Sequence, residues 1–146
     1  MMYRLLLVIT LALFSQITLA ESSSNQSGTS EQVESDPYQN YLIHTQGVIN
    51  KRFPGFFSDL SHKDQLKWID YVGNQGVKYG YENMNLRQQF TLIACYLGKD
   101  FMANDGVDKD IKRFLQDDRF SKYVRVRDMR RYLKRKGYTA TPPKMD

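Results

Sequence analysis

The fold is decided by the stretch NLRQQFTLIACYLG, residues 85–98. Its apolar side chains recur at the three- and four-residue spacing of an α-helix: Phe90, Ile93, Ala94 and Leu97. Asn85, followed three residues later by Gln88, has the pattern of a helix N-cap. Gly98 is the residue type that most often follows a helix C-terminus. Because this is the most apolar of the helices that the sequence predicts, we expect it to lie at the centre of the domain.

Four further helices are predicted on either side of this central stretch. Their starts are marked by cap residues: Asp36 before Pro37, Ser61, Asp108 and Ser121. Phe53-Pro54-Gly55 ends the first of them, and Gly137 ends the last. The second helix carries Gly73 and Gly76 on one face, which indicates either a close helix crossing or a bend. No hairpin or repeat signal is present, so the sequence predicts an all-α bundle of about five helices over residues 37–137.

The N-terminus has the pattern of a cleavable signal peptide over residues 1–20. Arg4 precedes the apolar run 5–14, and Thr18-Leu19-Ala20 ends on the small residues that a signal peptidase accepts. This predicts cleavage after Ala20 and a periplasmic or secreted protein. Residues 21–36 are polar and acidic, which favours a disordered leader, and residues 138–146 are expected to form a flexible tail. No later segment is apolar enough to predict a membrane span.

The residues that most often carry catalysis or metals are sparse. Cys95 is the only cysteine, so no internal disulfide can form, and its apolar neighbours favour a buried thiol over a nucleophile. His44 and His62 lack partners at metal-ligand spacing. These patterns predict neither a metal site nor a cofactor. Asp64 with Glu82 is the carboxylate pair that an envelope enzyme acting on cell-wall polymer could use, which is the alternative interpretation of the chain.

The loop 100–110 is rich in carboxylates and amides. An EF-hand needs oxygen ligands at alternate positions and ends on a bidentate Glu, but Ile111 stands where that Glu is required. Calcium therefore stays an open alternative, and a helix cap with solvated carboxylates explains the same residues.

The positive charge is concentrated near the C-terminus. Residues 108–136 hold twelve bases against five acids, whereas residues 37–107 hold seven against six. In the fifth helix we expect one face to meet the core, with Tyr123, Val126, Met129, Arg130 and Leu133, and we expect Arg125 among the residues that face solvent. The candidate binding residues are Arg127, Arg131, Lys134 and Arg135. A solvated face is the alternative.

The stretch Tyr79-Gly80-Tyr81, with residues 86–101 ending YLGKDF, is similar to small exported helical proteins found near type VI secretion and interbacterial toxin genes. Some of those are regarded as immunity proteins. The resemblance covers roughly residues 53–115 and carries over no functional residue. Where the family pattern continues with acids and a proline, this chain has Met102-Ala103-Asn104-Asp105.

These observations lead to one expectation of function. The sequence predicts an exported, non-catalytic helical protein that binds a macromolecular partner in the bacterial envelope, with toxin antagonism as one form of that role. The partner is expected to be a protein or an anionic envelope polymer. A DNA-binding periplasmic protein is a further alternative, and export argues against it.

Overall fold

The computed structural model describes residues 36–143, and these form five α-helices. The helices are α1 (Pro37–Arg52), α2 (His62–Lys78), α3 (Met84–Leu97), α4 (Lys109–Gln116) and α5 (Lys122–Arg135). Residues 36–143 contain no β-strand, which confirms the all-α class. The predicted signal peptide 1–20 and the leader up to residue 35 lie outside the described residues.

Four of the five helix starts are those that the sequence predicts. Each cap side chain accepts a backbone N–H from the first turn: Asp36 from Tyr38 at 2.9 Å, Ser61 from Asp64 at 3.2 Å, Asp108 from Asp110 at 2.8 Å and Ser121 from Val124 at 3.4 Å. The Ser61 hydroxyl also donates to the Asp64 carboxylate at 2.6 Å. The local hydrogen bonds thus fix where the chain enters each helix.

The start of α3 corrects the sequence-based prediction by two residues. Asn83, and not Asn85, is the N-cap, and its side-chain oxygen accepts the Leu86 N–H at 2.9 Å. The reason lies in the preceding turn. Gly80, two residues after the end of α2, has φ of 84°, which a glycine adopts without strain. Tyr81 N then bonds back to the carbonyl of Gly76 at 3.0 Å, so that the extended residue available for capping is Asn83.

Helix α3 is the centre of the bundle, as predicted, and packs against α1, α2 and α5. Its buried residues are Leu86, Phe90, Thr91, Leu92, Ile93, Ala94 and Cys95. Leu97 was expected to share this central contact but is only partly buried, because it ends the helix immediately before the exposed Gly98. The core contact therefore lies in the middle turns of α3.

The glycines of α2 allow two aromatic rings to approach the helix backbone. A Cβ atom at Gly73 would lie 2.7 Å from the hydroxyl oxygen of Tyr41, and one at Gly76 would lie 3.0 Å from the ring of Phe90. Of the two roles that the sequence left open, close packing is therefore the one that the structure supports.

The segment after α5 makes a contact that the sequence did not indicate. The N–H of Thr141 donates to the carbonyl of Cys95 at 3.1 Å, and Ala140 packs against the core. Within residues 36–143, none of the helices combines the length and apolar character needed to cross a bilayer.

Candidate functional site

Helix α5 is held to the bundle by the apolar residues that its spacing predicts. Val126, Met129 and Leu133 are buried, and the helix packs against α3 and α4. Tyr123 was predicted to join this face but is 53% exposed. It lies in the first turn, where its hydroxyl accepts from the Asn83 amide at 3.1 Å instead of entering the core.

Arg125 corrects a second expectation, since it is buried and does not face solvent. Its Nη1 donates to the carbonyl of Leu115 at 2.9 Å, and its guanidinium lies 5.9 Å from the ring centroid of Tyr81. A carbonyl at the C-terminal end of α4 attracts a cation, and the electron-rich face of the Tyr81 ring attracts the same guanidinium. Arg125 is therefore a structural residue, which its charge alone would not predict.

A concave site with a volume of about 380 Å³ lies where the C-terminal ends of α1 and α3 meet α5. We call it the basic groove. Its lining residues are Arg52, Phe53, Tyr96, Arg127, Arg130, Arg131 and Lys134. Five of these seven side chains are cations, and none is a carboxylate. Such an arrangement creates a positive potential that attracts anions.

The basic groove brings together three of the four candidate binding residues. Arg127, Arg131 and Lys134 line it, but Arg135 does not. Arg135 instead lines a depression between α4 and α5 that also contains Asp110 and Asp128. Arg135 also shares a second depression with Asp128, Arg131 and Lys134. The four candidate residues therefore lie on adjoining parts of α5, and three of them line the groove.

Arg130 is the groove residue that sequence reasoning placed on the core face. It is partly buried and donates a hydrogen bond to the side-chain oxygen of Gln89. Burial, and next the neighbouring Arg52 guanidinium, lower the pKa of Arg130. Its guanidinium nevertheless remains charged at neutral pH. Arg130 and Arg52 therefore carry like charges that repel each other, and a bound anion would reduce that repulsion.

The groove also has an aromatic wall. Phe53, which caps the C-terminus of α1, meets Tyr96 of α3 edge to face, with ring centroids 5.1 Å apart and an interplanar angle of 90°. Arginine side chains beside aromatic rings are typical of the centres of protein interfaces. Neither Arg52 nor Phe53 was a candidate from sequence, because both lie far along the chain from the basic helix.

Acidic partners accompany several basic side chains of α4 and α5, including two that line the groove. On α4, Arg113 pairs with Asp110 at 2.8 Å, and after it Arg119 pairs with Asp117 at 2.6 Å. On the outer side of α5, Asp128 lies 2.8 Å from Arg127 and 3.7 Å from Arg131. The Asp128 carboxylate lines other depressions and not the groove. The groove lining itself therefore contains no carboxylate, although Asp128 pairs with Arg127 and Arg131 at its outer edge.

The Cys95 thiol is enclosed in the core. Its side chain is fully buried, and Sγ donates to the carbonyl of Thr91 at 3.4 Å. Burial raises the pKa of the thiol well above its ordinary value. A thiol of this kind is a poor nucleophile, since the thiolate is the reactive form. This agrees with its interpretation as a buried small hydrophobe.

The other candidate ligands have local structural partners. Gln88 Nε2 lies 2.9 Å from Nδ1 of His44, and Gln46 Nε2 lies 3.0 Å from Nδ1 of His62. In the loop 100–110, Asp100 accepts from the hydroxyl of Tyr71, and Asp108 caps α4. Within residues 36–143, no three His, Cys, Asp or Glu side chains come together as a metal-ligand set.

The carboxylate pair considered for hydrolysis is separated by the length of α2. Asp64 lies in its first turn, where Ser61 and Lys67 hold its carboxylate. Glu82 follows Tyr81, whose N–H is bonded to Gly76. The twelve residues from 64 to 76 span about 18 Å of helix. Glycosidase carboxyl groups stand about 5–9.5 Å apart, so this geometry argues against that pair.

No family model matches the chain, and no curated protein or solved structure was found to match it.

Proposed function

We propose that the protein is an exported, non-catalytic helical binding protein that engages a protein partner in the bacterial envelope through the basic groove. The observation that carries the proposal is the set of five cations beside two aromatic rings in one concave site. A partner with an acidic surface complements such a site. Electrostatic complementarity of this kind raises the association rate and excludes partners of the wrong charge.

The immunity-type role is the specific form of this proposal that the resemblance at residues 79–101 supports. An inhibitor of this kind would act by surface complementarity, with aromatic and arginine side chains as anchors. The helices that frame the groove belong to the packed bundle, in which α3 contacts both α1 and α5, so the backbone that carries the groove side chains is fixed before binding. Preorganisation of this kind lowers the entropic cost of association.

The test compares two charge reversals of equal size. Arg131→Glu with Lys134→Glu changes the groove, whereas Lys112→Glu with Arg113→Glu changes the α4 surface by the same net charge. Each full-length variant is used to capture envelope proteins over a range of concentrations. We expect one saturable partner for the unaltered chain, weakened about tenfold or more by the groove variant and much less by the α4 variant.

Two results would count against the proposal. One is the absence of any saturable partner, and the other is an equal effect of both variants, which would indicate non-specific charge attraction. The immunity form has a separate readout. Deletion of the gene should make cells sensitive to neighbouring cells, and the groove variant should fail to restore protection while the α4 variant restores it.

A further inference from the structure

We infer that the basic groove recognises a short acidic segment of its protein partner in which carboxylates flank an aromatic side chain. This inference rests on the proposed function and deepens it by assigning the partner's chemistry. It also adds Arg52, Arg130 and Phe53 to the binding residues, although none of them was a candidate from the sequence.

The charge arrangement favours carboxylates. Four of the five groove cations are arginines, and the planar guanidinium donates two parallel hydrogen bonds to a carboxylate. Arg130 is oriented by its hydrogen bond to Gln89, so part of the cost of ordering that side chain is already met before the partner arrives. A carboxylate placed between Arg130 and Arg52 would also offset the repulsion between their charges.

The limited extent of the positive surface argues against a nucleic acid or another long polyanion. Such polymers require a positive track along which successive phosphates lie. Here Asp128 pairs with Arg127 and Arg131 at the outer edge of the groove. The basic surface near α4 is interrupted in the same way by Asp110 and Asp117. The groove volume of about 380 Å³ is at the low end of the ~300–1,000 Å³ typical of ligand sites, which suits a few side chains.

The aromatic wall, formed by Phe53 and Tyr96, favours a partner that carries an apolar group. Phe53 and Tyr96 are both partly exposed and line the groove with their ring contact intact. A purely polar ligand would leave this wall in water, whereas an aromatic ring packed against it gains stacking or edge-to-face contact. The segment that satisfies both parts of the site therefore alternates acidic and aromatic residues.

The inference is tested with synthetic probes and the full-length chain. Fluorescence anisotropy would compare a labelled decapeptide with a central Glu-Phe-Glu, the same peptide with Ala for Phe, the same peptide with Gln for both Glu residues, and a ten-nucleotide thymidine DNA. We expect the Glu-Phe-Glu peptide to bind at least about tenfold more tightly than each of the other three. Tighter or equal binding of the DNA would overturn the inference, and so would equal binding of the alanine peptide.

Single substitutions test whether the peptide binds in the groove. Arg52→Gln removes an exposed charge, and Phe53→Leu removes the aromatic edge. Each substitution should weaken the binding of the Glu-Phe-Glu peptide by about fivefold or more. The matched control Arg113→Gln, on α4, should change binding by less than about twofold. Because Arg52 is exposed, its effect can be measured even if Phe53→Leu lowers the stability of the fold.

The two proposals fail in distinguishable ways. If partner capture depends on Arg131 and Lys134 but the Arg52→Gln chain binds partner and peptide normally, the inference is wrong and the proposed function stands. The opposite result is that the Glu-Phe-Glu peptide binds most tightly of the four probes and Arg52→Gln weakens it, but no envelope partner is captured. In that case the specificity of the groove is supported and the proposed function is wrong.

Discussion

Tyr81 and Arg125 donate hydrogen bonds to the same acceptor, the carbonyl oxygen of Leu115. The Tyr81 hydroxyl lies 2.5 Å from that oxygen and Arg125 Nη1 lies 2.9 Å from it. Leu115 is in the last turn of α4, where carbonyls lack partners within the helix. Tyr81 comes from the turn before α3, and Arg125 comes from α5. One buried carbonyl therefore joins three parts of the bundle.

This shared acceptor predicts that the two donors are coupled. Tyr81→Phe should lower the free energy of unfolding by about 1 kcal/mol and Arg125→Met by about 2 kcal/mol, because each leaves one donor in place. The double variant should lose roughly 1 kcal/mol more than the sum, since the buried carbonyl then has no donor. Urea denaturation of the four chains measures the coupling. Simple additivity would mean that water replaces the lost donors.

The approach of Tyr41 to α2 predicts a strong effect of a single methyl group at Gly73. Gly73→Ala should destabilise the fold by about 1–3 kcal/mol, because the new Cβ would lie 2.7 Å from the Tyr41 oxygen. Combining it with Tyr41→Phe removes that atom, and the next ring atom is 3.6 Å away. The double variant should therefore recover part of the loss in a thermal melt.

Gly47 provides the matched control for this substitution. It lies in the middle of α1 and is exposed, and a Cβ atom added there would meet no atom from elsewhere in the fold within 4 Å. Gly47→Ala should raise the free energy of unfolding by about 0.5–1 kcal/mol, since alanine favours the helix. If both alanines had the same effect, the contact with Tyr41 would not be the cause.

The position of the core in α3 predicts different costs for two apolar truncations. Ile93 is fully buried, and Ile93→Ala should lower the free energy of unfolding by about 2–5 kcal/mol. Leu97 is only partly buried, so Leu97→Ala should cost less than Ile93→Ala. Chemical denaturation of both variants tests the order. A larger effect at Leu97 would place the central contact at the end of α3 and not in its middle turns.

The helices and most of their starts could be predicted because their signals are local. A cap side chain bonds to a backbone N–H two or three residues away, as Asp36 and Ser121 do, and apolar spacing identifies the inward face. Asn85 was predicted as the cap of α3 because Gln88 follows it three residues later, whereas the structure uses the same side-chain type two residues earlier, at Asn83. The choice depends on Gly80, whose positive φ sets the path of the preceding turn.

The groove could be predicted only in part because its residues come from three helices. The basic spacing of α5 identified Arg127, Arg131 and Lys134, but nothing near Arg52 or Phe53 indicates that α1 ends beside them. Charge was also an unreliable guide to exposure. Arg125 is buried by a carbonyl and a ring that come from other elements, and no local pattern records those partners.

Asp117 predicts a measurable pH effect at the C-terminus of α4. The hydrogen bond from Arg119 is the main cause that lowers the pKa of Asp117 to about 2. The charged form is thus favoured in the folded chain, and its contribution to stability is present above the ordinary pKa of 3.8 and is lost as the pH falls toward 2. Arg119→Gln should raise the pKa toward 3.8 in a carboxyl NMR titration, whereas Arg113→Gln should leave it unchanged.

The exposed cations of α5 predict a variant that loses charge but keeps the fold. Arg131 has a side chain that is 69% exposed and a long 3.7 Å contact with Asp128, and Lys134 and Arg135 are also exposed. Changing all three to Glu should cost no more than about 0.5 kcal/mol each in a thermal melt, because surface charges contribute little to stability. It should weaken partner binding and make that binding less dependent on salt concentration.

Arg125→Glu is the contrasting variant, since it would place an unpaired carboxylate against the Leu115 carbonyl and should destabilise the fold by about 3 kcal/mol or more. A triple variant that unfolds would show that the three side chains stabilise the bundle internally, and one that folds and binds normally would place the partner site elsewhere.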